Sequence, residues 1–197
     1  TSAGTREIKI YASEAGQKFN GWILNDDYVY PGRPGYNLSS QYLTHVLDWG
    51  NIAFTNMHGM FASAIKLSSL PSSAPNTSQV TDMSCMFNYT PAFNQPVNFD
   101  TKNVTDMHSM FANTTIFNQP LNFDTRNVTD MNAMFFDAKA FNQPLNFDTS
   151  KVTNMSHMFR NAKNFNKPIS FDTKNVIDMS YMFFNTAIFN QPLNFDT

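Results

Sequence analysis

One cysteine, Cys85, stands among 197 residues, which rules out an internal disulfide framework. Charge of one sign is also lacking. Thirteen Lys and Arg meet 15 Asp and Glu, a net charge of −2, so there is no electrostatic case for nucleic acid or an anionic membrane surface. No apolar run approaches the roughly 18 residues a spanning helix needs, and no membrane insertion is expected. The opening TSAGTREIKIY lacks the basic and apolar regions of a signal peptide, so neither a signal nor an anchor is expected within this chain. Glycine is scarce, at 7 residues. The glycine-rich repeat that binds calcium between β-solenoid coils is therefore not present.

Two residue types are abundant: 12 Met and 20 Phe. A repeat explains both. Closely similar phrases start at Val80, Val104, Val128, Val152 and Val176, such as VTDMHSMFANTTIFNQPLNFDTRN and VTDMNAMFFDAKAFNQPLNFDTSK. The last four starts are each 24 residues after the one before. A fixed period of this size is the mark of a stacked repeat architecture. With the valine as position 0, every methionine falls at position 3 or 6, including Met57 and Met60 of an earlier, atypical unit starting at Phe54. Most phenylalanines fall at positions 7, 13 and 19, as Phe111, Phe117 and Phe123 do.

Positions 3, 6, 7 and 10 have helical spacing, and Thr105 or Asp106 is placed to cap such a turn. Positions 17 and 19 alternate with an outward asparagine, which fits a short strand entered by Pro120. The expected fold is therefore a leucine-rich-repeat-like solenoid, with a short parallel strand and a short helical turn in each 24-residue coil. One coil buries too little to offset its own ordering entropy, whereas stacked coils bury one another. The array is expected over residues 47–197 as about six repeats. Trp49 aligns there with Phe123 and Leu47 with Leu121, and SSLPSSAPNTSQ loops out of the first unit. Residues 1–46 read as an N-terminal α+β cap, with strands in REIKIYAS and FNGWILNDDYVY and a helix in LSSQYLTHVL. No C-terminal cap follows. Either the natural protein continues, or the last coil associates end to end with another copy.

The phrases FDTKNVTDMHSMF, FDTRNVTDMNAMF and FNQPLNFDT resemble the repeats of about 25 residues found in bacterial surface proteins, with the consensus WDTSNVTDMSGMF…FNQ. Those repeats are relatives of the BspA-like leucine-rich repeats. The resemblance covers residues 47–197. It implies an exported or surface-attached bacterial protein serving adhesion or host interaction, with no catalytic residues to carry over.

Chemistry-bearing residues are few. His58 and His108 share position 4 but are two coils apart, about 10 Å at the spacing of stacked strands, so no shared metal is expected. A catalytic cysteine needs a base beside it, and no repeat column supplies one for Cys85. Neither an enzyme nor a cofactor is expected. Asp82, Asp106, Asp130 and Asp178 read as caps. Asp100, Asp124, Asp148, Asp172 and Asp196 stack as like charges and need partners, for which Lys102, Arg126 and Lys174 are nearby. Asn94, Asn118, Asn142 and Asn166 read as a turn ladder.

Variation between repeats locates the adaptable surface. Positions 4, 5, 8, 9, 11 and 12 change freely. Tyr89, Phe136, Arg160, Tyr181 and Phe184 lie there as candidate protein-binding residues, since aromatic and Arg clusters suit contacts. Asn122 and Asn146, facing out between the inward residues of the strand, form a candidate glycan-binding strip. The expected function is non-catalytic: adhesion, through a protein or glycan on a host or neighbouring cell. A structural stalk is the alternative.

Overall fold

The computed structural model describes residues 18–19 and 40–195. The strands, loop and helix cap expected within 1–17 and 20–39 lie outside the described residues, as does Asp196. The strand Lys18–Phe19 (β1) pairs in parallel with Ala53–Phe54 (β2), Lys18 opposite Ala53 and Phe19 opposite Phe54. The helix expected in LSSQYLTHVL is one 3-10 turn, Ser40–Tyr42. After it the chain extends. His45 forms a parallel bridge to Ser69, and Val46 N–H donates to Ser69 C=O at 3.0 Å.

From Phe54 onward the molecule is a stack of the repeating units, joined at equivalent positions. Position 2 forms a run of parallel bridges: Asp82 to Asp106, Asp106 to Asp130, Asp130 to Asn154, and Asn154 to Asp178. Four N–H groups per unit then donate to the next unit. In the Val104 unit these are Met107 to Asp130 C=O (3.1 Å), Ser109 to Asn132 (2.8 Å), Phe111 to Met134 (2.9 Å) and Asn113 to Phe136 (2.7 Å). The intervening N–H groups close turns within the unit: Met110 to Met107, Ala112 to Ser109 and Thr114 to Phe111. The backbone groups of this arc are thus paired in two orthogonal sets.

This arrangement replaces the expected helical turn. Positions 5 and 9 are left-handed in every unit, with φ between 52° and 62° at Ser63, Cys85, Tyr89, Ser109, Asn113, Ala133, Asp137, His157, Asn161, Tyr181 and Asn185. An α-helix cannot pass through left-handed residues. The C=O of position 2 and the N–H of position 3 belong to one peptide group, as do those of 4 and 5, 6 and 7, and 8 and 9. All four groups point the same way along the stack. The peptide groups between them, which in an ordinary parallel strand would pair with the preceding unit, close turns within the unit instead.

The strand expected at positions 17 and 19 is also absent, although its alternation is present. Leu121 and Phe123 are buried and Asn122 between them is exposed. A proline stands just before this segment in each unit, as at Pro120 and Pro144, and removes a ladder donor. Side chains make the joints there instead. Asn94 Oδ1 accepts from Asn118 N–H at 3.0 Å, and Asn118 Oδ1 from Asn142 N–H at 2.9 Å. Thr101 Oγ1 donates to Asp124 C=O and accepts from Asp124 N–H. The asparagine ladder is therefore amide to backbone rather than amide to amide.

The core is aromatic and thioether. Phe87, Phe111, Phe135 and Phe159 stack ring on ring at 5.5–5.9 Å. Phe93, Phe117, Phe141 and Phe165 form a second column at 6.0–6.1 Å. The columns touch within each unit, as Phe135 and Phe141 do at 4.1 Å. Such offset stacks contribute about 0.5–1.5 kcal/mol beyond burial. The position 3 and 6 methionines are buried beside them from Met57 to Met158. Trp49 takes a phenylalanine's place as its alignment implied, with its ring 6.2 Å from Phe99 and its Nε1 donating to Ser73 C=O. Leu47, aligned with buried Leu121, is 54% exposed instead. The inward places there are held by Leu43, Val46 and Trp49.

The left-handed positions make a direct prediction. Ala133, at φ 52°, should tolerate glycine, with stability unchanged or raised by up to about 1 kcal/mol. Ala133→Val should lower it by at least about 1 kcal/mol, because a β-branched side chain suits this region least. Denaturant unfolding of the two variants is the check, and equal effects would contradict the assignment.

Candidate functional site

Position 8 and position 5 lie on one edge of the arc. Side chains there stack from unit to unit because the backbone ladder holds the units in register. Phe136, Arg160 and Phe184 are the position 8 residues of three successive units. The Arg160 guanidinium carbon lies 5.7 Å from the Phe136 ring centre, 5.1 Å from Phe184 and 5.6 Å from Tyr181. Tyr181 stacks on His157 at 5.2 Å with the rings 6° apart. Arg160 Nη1 lies 3.3 Å from His157 Nδ1, and its buried Nε has no hydrogen-bond partner. A guanidinium between ring faces gains roughly 0.5–2 kcal/mol, more as water is excluded. Four of the seven sequence-derived candidates are thus one cluster. Tyr181 and Phe184 are exposed, but Phe136 is half-buried, because Arg160 of the next unit covers it.

Tyr89 does not join them. It is exposed at position 9 of the Val80 unit, two units from Phe136 and three from Arg160. Asn122 and Asn146 are elsewhere too. They border a shallow depression of about 500 Å³ with Asp124, Arg126 and Asp148. The acidic column beside it is partnered: Lys102 with Asp100 at 3.0 Å, Arg126 with Asp124 at 2.9 Å and Lys174 with Asp172 at 2.7 Å. Each of these bases holds its aspartate below the usual carboxylate range. Asp148 is held low by Ser150.

A second cluster was not anticipated from the sequence. Cys85 Sγ lies 3.6 Å from His108 Nε2, and His108 Nδ1 lies 2.9 Å from Asp106 Oδ1. Asp106 Oδ1 also accepts the His108 backbone N–H at 2.9 Å. The position 2 acids are not helix caps. They close local turns of this kind in each unit, as Asp130 does with Asn132 N–H and Asp178 with Ser180 N–H. His58 is held by Ser84 Oγ at 2.6 Å, and Ser84 Oγ donates to Asp82 Oδ1. The His58 and His108 rings are 6.4 Å apart rather than about 10 Å, and both are half-buried. The reason is the small Ser84 at position 4 of the unit between them, which leaves room for the rings to approach.

The base for Cys85 went unseen because a column search compares like positions. Position 5 of one unit lies beside position 4 of the next, as Cys85 N–H to His108 C=O shows at 2.8 Å. Adding one period to Cys85 lands beside His108, and that offset was the available signal. Among the described residues, no group of three or more His, Cys, Asp or Glu is arranged to hold a metal ion. No helix among them is long and apolar enough to cross a membrane.

The Asp106 hydrogen bond, then the Cys85 contact, raise the His108 pKa to about 10 despite burial. Asp106 is lowered: burial opposes this, but hydrogen bonds from His108 outweigh it. The signs set a pH window. The His108 contribution to stability is complete below its ordinary value of 6.5 and is lost as pH rises toward about 10. The Asp106 contribution is present above its ordinary 3.8 and is lost as pH falls below that. NMR titration of the imidazole carbons should therefore show His108 still protonated at a pH where an ordinary histidine is neutral, and Asp106→Asn should shrink the difference.

No curated protein and no solved structure matches this chain. The family described as "Mycoplasma protein of unknown function, DUF285" matches residues 36–145 and 144–197. The match takes in the stacked units with their Met, Phe, Asp and Asn columns, and the chain belongs to this bacterial repeat family.

Proposed function

We propose that the chain is a leucine-rich-repeat-like solenoid of a bacterial surface or secreted protein, and that it binds a protein on a host or neighbouring cell without catalysis. One observation carries this reading. Phe136, Arg160, Tyr181 and Phe184, drawn from three successive units, form one patch with two exposed aromatic rings around a guanidinium. Aromatic and Arg side chains clustered this way are the usual anchors of protein contacts. These positions vary between units while the core columns do not. The patch is therefore not required by the stack, which leaves recognition as its use. An extracellular location and a relation to BspA-like repeats belong to the same proposal.

A second reading rests on Asn122 and Asn146. Their depression offers amides, carboxylates and Arg126 in one shallow polar surface, the kind of lining a glycan's hydroxyls would meet. A plain spacer would use neither surface.

The variants Phe184→Ser and Tyr181→Ser separate the readings. Each should weaken binding to target cells by about 30-fold if the ring is an anchor worth ~2 kcal/mol, with the thermal midpoint little changed. Unaltered cell binding by the double variant would remove the patch from consideration. Binding on a glycan array that disappears with Asn122→Ala and Asn146→Ala would favour the second reading.

A further inference from the structure

The unit starting at Val80 contains the chain's one thiol, and the next unit faces it with a histidine, found at no other described junction. Position 5 faces position 4 of the following unit throughout: Ser109 meets Asn132, Ala133 meets Ser156 and His157 meets Ser180. Only Cys85 meets a histidine. We propose that Cys85 and His108 form a nucleophile–base pair, oriented by Asp106, that makes Cys85 a modification site for small peroxides.

The geometry supplies each requirement of such a pair. The backbone bond from Cys85 N–H to His108 C=O fixes the two residues in register. Asp106 Oδ1 accepts from both the backbone N–H and Nδ1 of His108, so the imidazole is anchored at two points. Nδ1 therefore carries a proton, and Nε2 is the nitrogen presented to sulfur at 3.6 Å. A carboxylate on one nitrogen and a thiol on the other is the arrangement by which a base takes up a thiol proton and holds it. The titratable groups around the pair are Asp106 itself, Asp82 of the Cys85 unit with His58 of the unit before it, and Asp130, whose backbone bridges that of Asp106. Asp106 is the carboxylate bonded to the imidazole, and it favours the charged ring. Cys85 is only 4% exposed, so the electrophile has to be small.

The reaction balances without any other group. The thiolate sulfur attacks one oxygen of hydrogen peroxide and the O–O bond breaks. Sulfur is oxidised by two electrons to the sulfenic acid, and the peroxide is reduced by two. The departing hydroxide takes the Nε2 proton of His108 and leaves as water. The chain has no second cysteine, so the sulfenic acid finds no resolving thiol within it, and its return to the thiol requires another molecule.

Peptide mass spectrometry of the whole chain after timed peroxide treatment tests this, because it needs no second reagent to reach the sulfur. Oxygen addition at Cys85 near neutral pH should be at least about tenfold faster in the natural chain than in His108→Gln, with Asp106→Asn between them. A control places the thiol one unit on, as Ser109→Cys with Cys85→Ser, where it meets Asn132. That thiol should oxidise as slowly as the thiol of His108→Gln. Equal oxidation rates in the natural chain and His108→Gln would overturn the proposal.

Discussion

The aligned peptide groups between units are the constraint on which the rest of the molecule depends. Four N–H groups per unit donate to the next unit, alternating with groups that close turns through left-handed positions 5 and 9. That alternation sets the register to the residue. Once it holds, the phenylalanine columns stack face to face, and the position 2 acids fall above one another. Left-handed backbone costs a non-glycine residue about 1–2 kcal/mol, and each unit from Val80 onward bears it twice, the Phe54 unit once, since Gly59 holds its position 5. The interunit bonds and the stacked rings offset that cost, since a single unit has neither.

A stack of this kind divides its residues by duty. Valine, methionine and phenylalanine fill the interior. Thr101, Thr125 and Thr149 are buried and tie one unit's turn to the next. Asn94, Asn118 and Asn142 carry the joints where proline interrupts the backbone. These letters repeat because the joint repeats. The residues left to vary lie on the arc's outer edge, at positions 4, 5, 8 and 9. Because neighbouring units sit within van der Waals reach, three variable residues in three units make a surface that no one unit contains. The Arg160 patch and the Cys85–His108–Asp106 cluster both arise this way, on different stretches of the same edge.

Much of this was legible beforehand. The 24-residue period, the buried columns, the outward Asn122 and the basic partners of Asp100, Asp124 and Asp172 all follow from alternation and charge. These depend on side-chain character, which a sequence displays directly. The local backbone was not legible. Met107, Met110, Phe111 and Thr114 have helical spacing, yet the chain there turns through left-handed Ser109 and Asn113. Two successive tight turns place the same residues inward as a helix would, so periodicity does not distinguish them. Position 9 carries Asn or Asp in several units, the residues most tolerant of that conformation, but position 5 shows such a sign only at Gly59 of the atypical first unit and elsewhere carries Cys, Ser, Ala, His and Tyr.

The sequence by itself determined the repeat, its interior and the surface free to change, because burial and period are properties of residue order. The tertiary structure alone decided which variable residues meet. His58 approaches His108 because Ser84 between them is small. Arg160 meets Phe136 and Phe184 of its own column and draws in Tyr181, while Cys85 gains a histidine through a one-position offset between neighbouring units. That offset comes from the geometry of hydrogen bonds between units. Residue order along one unit does not contain it.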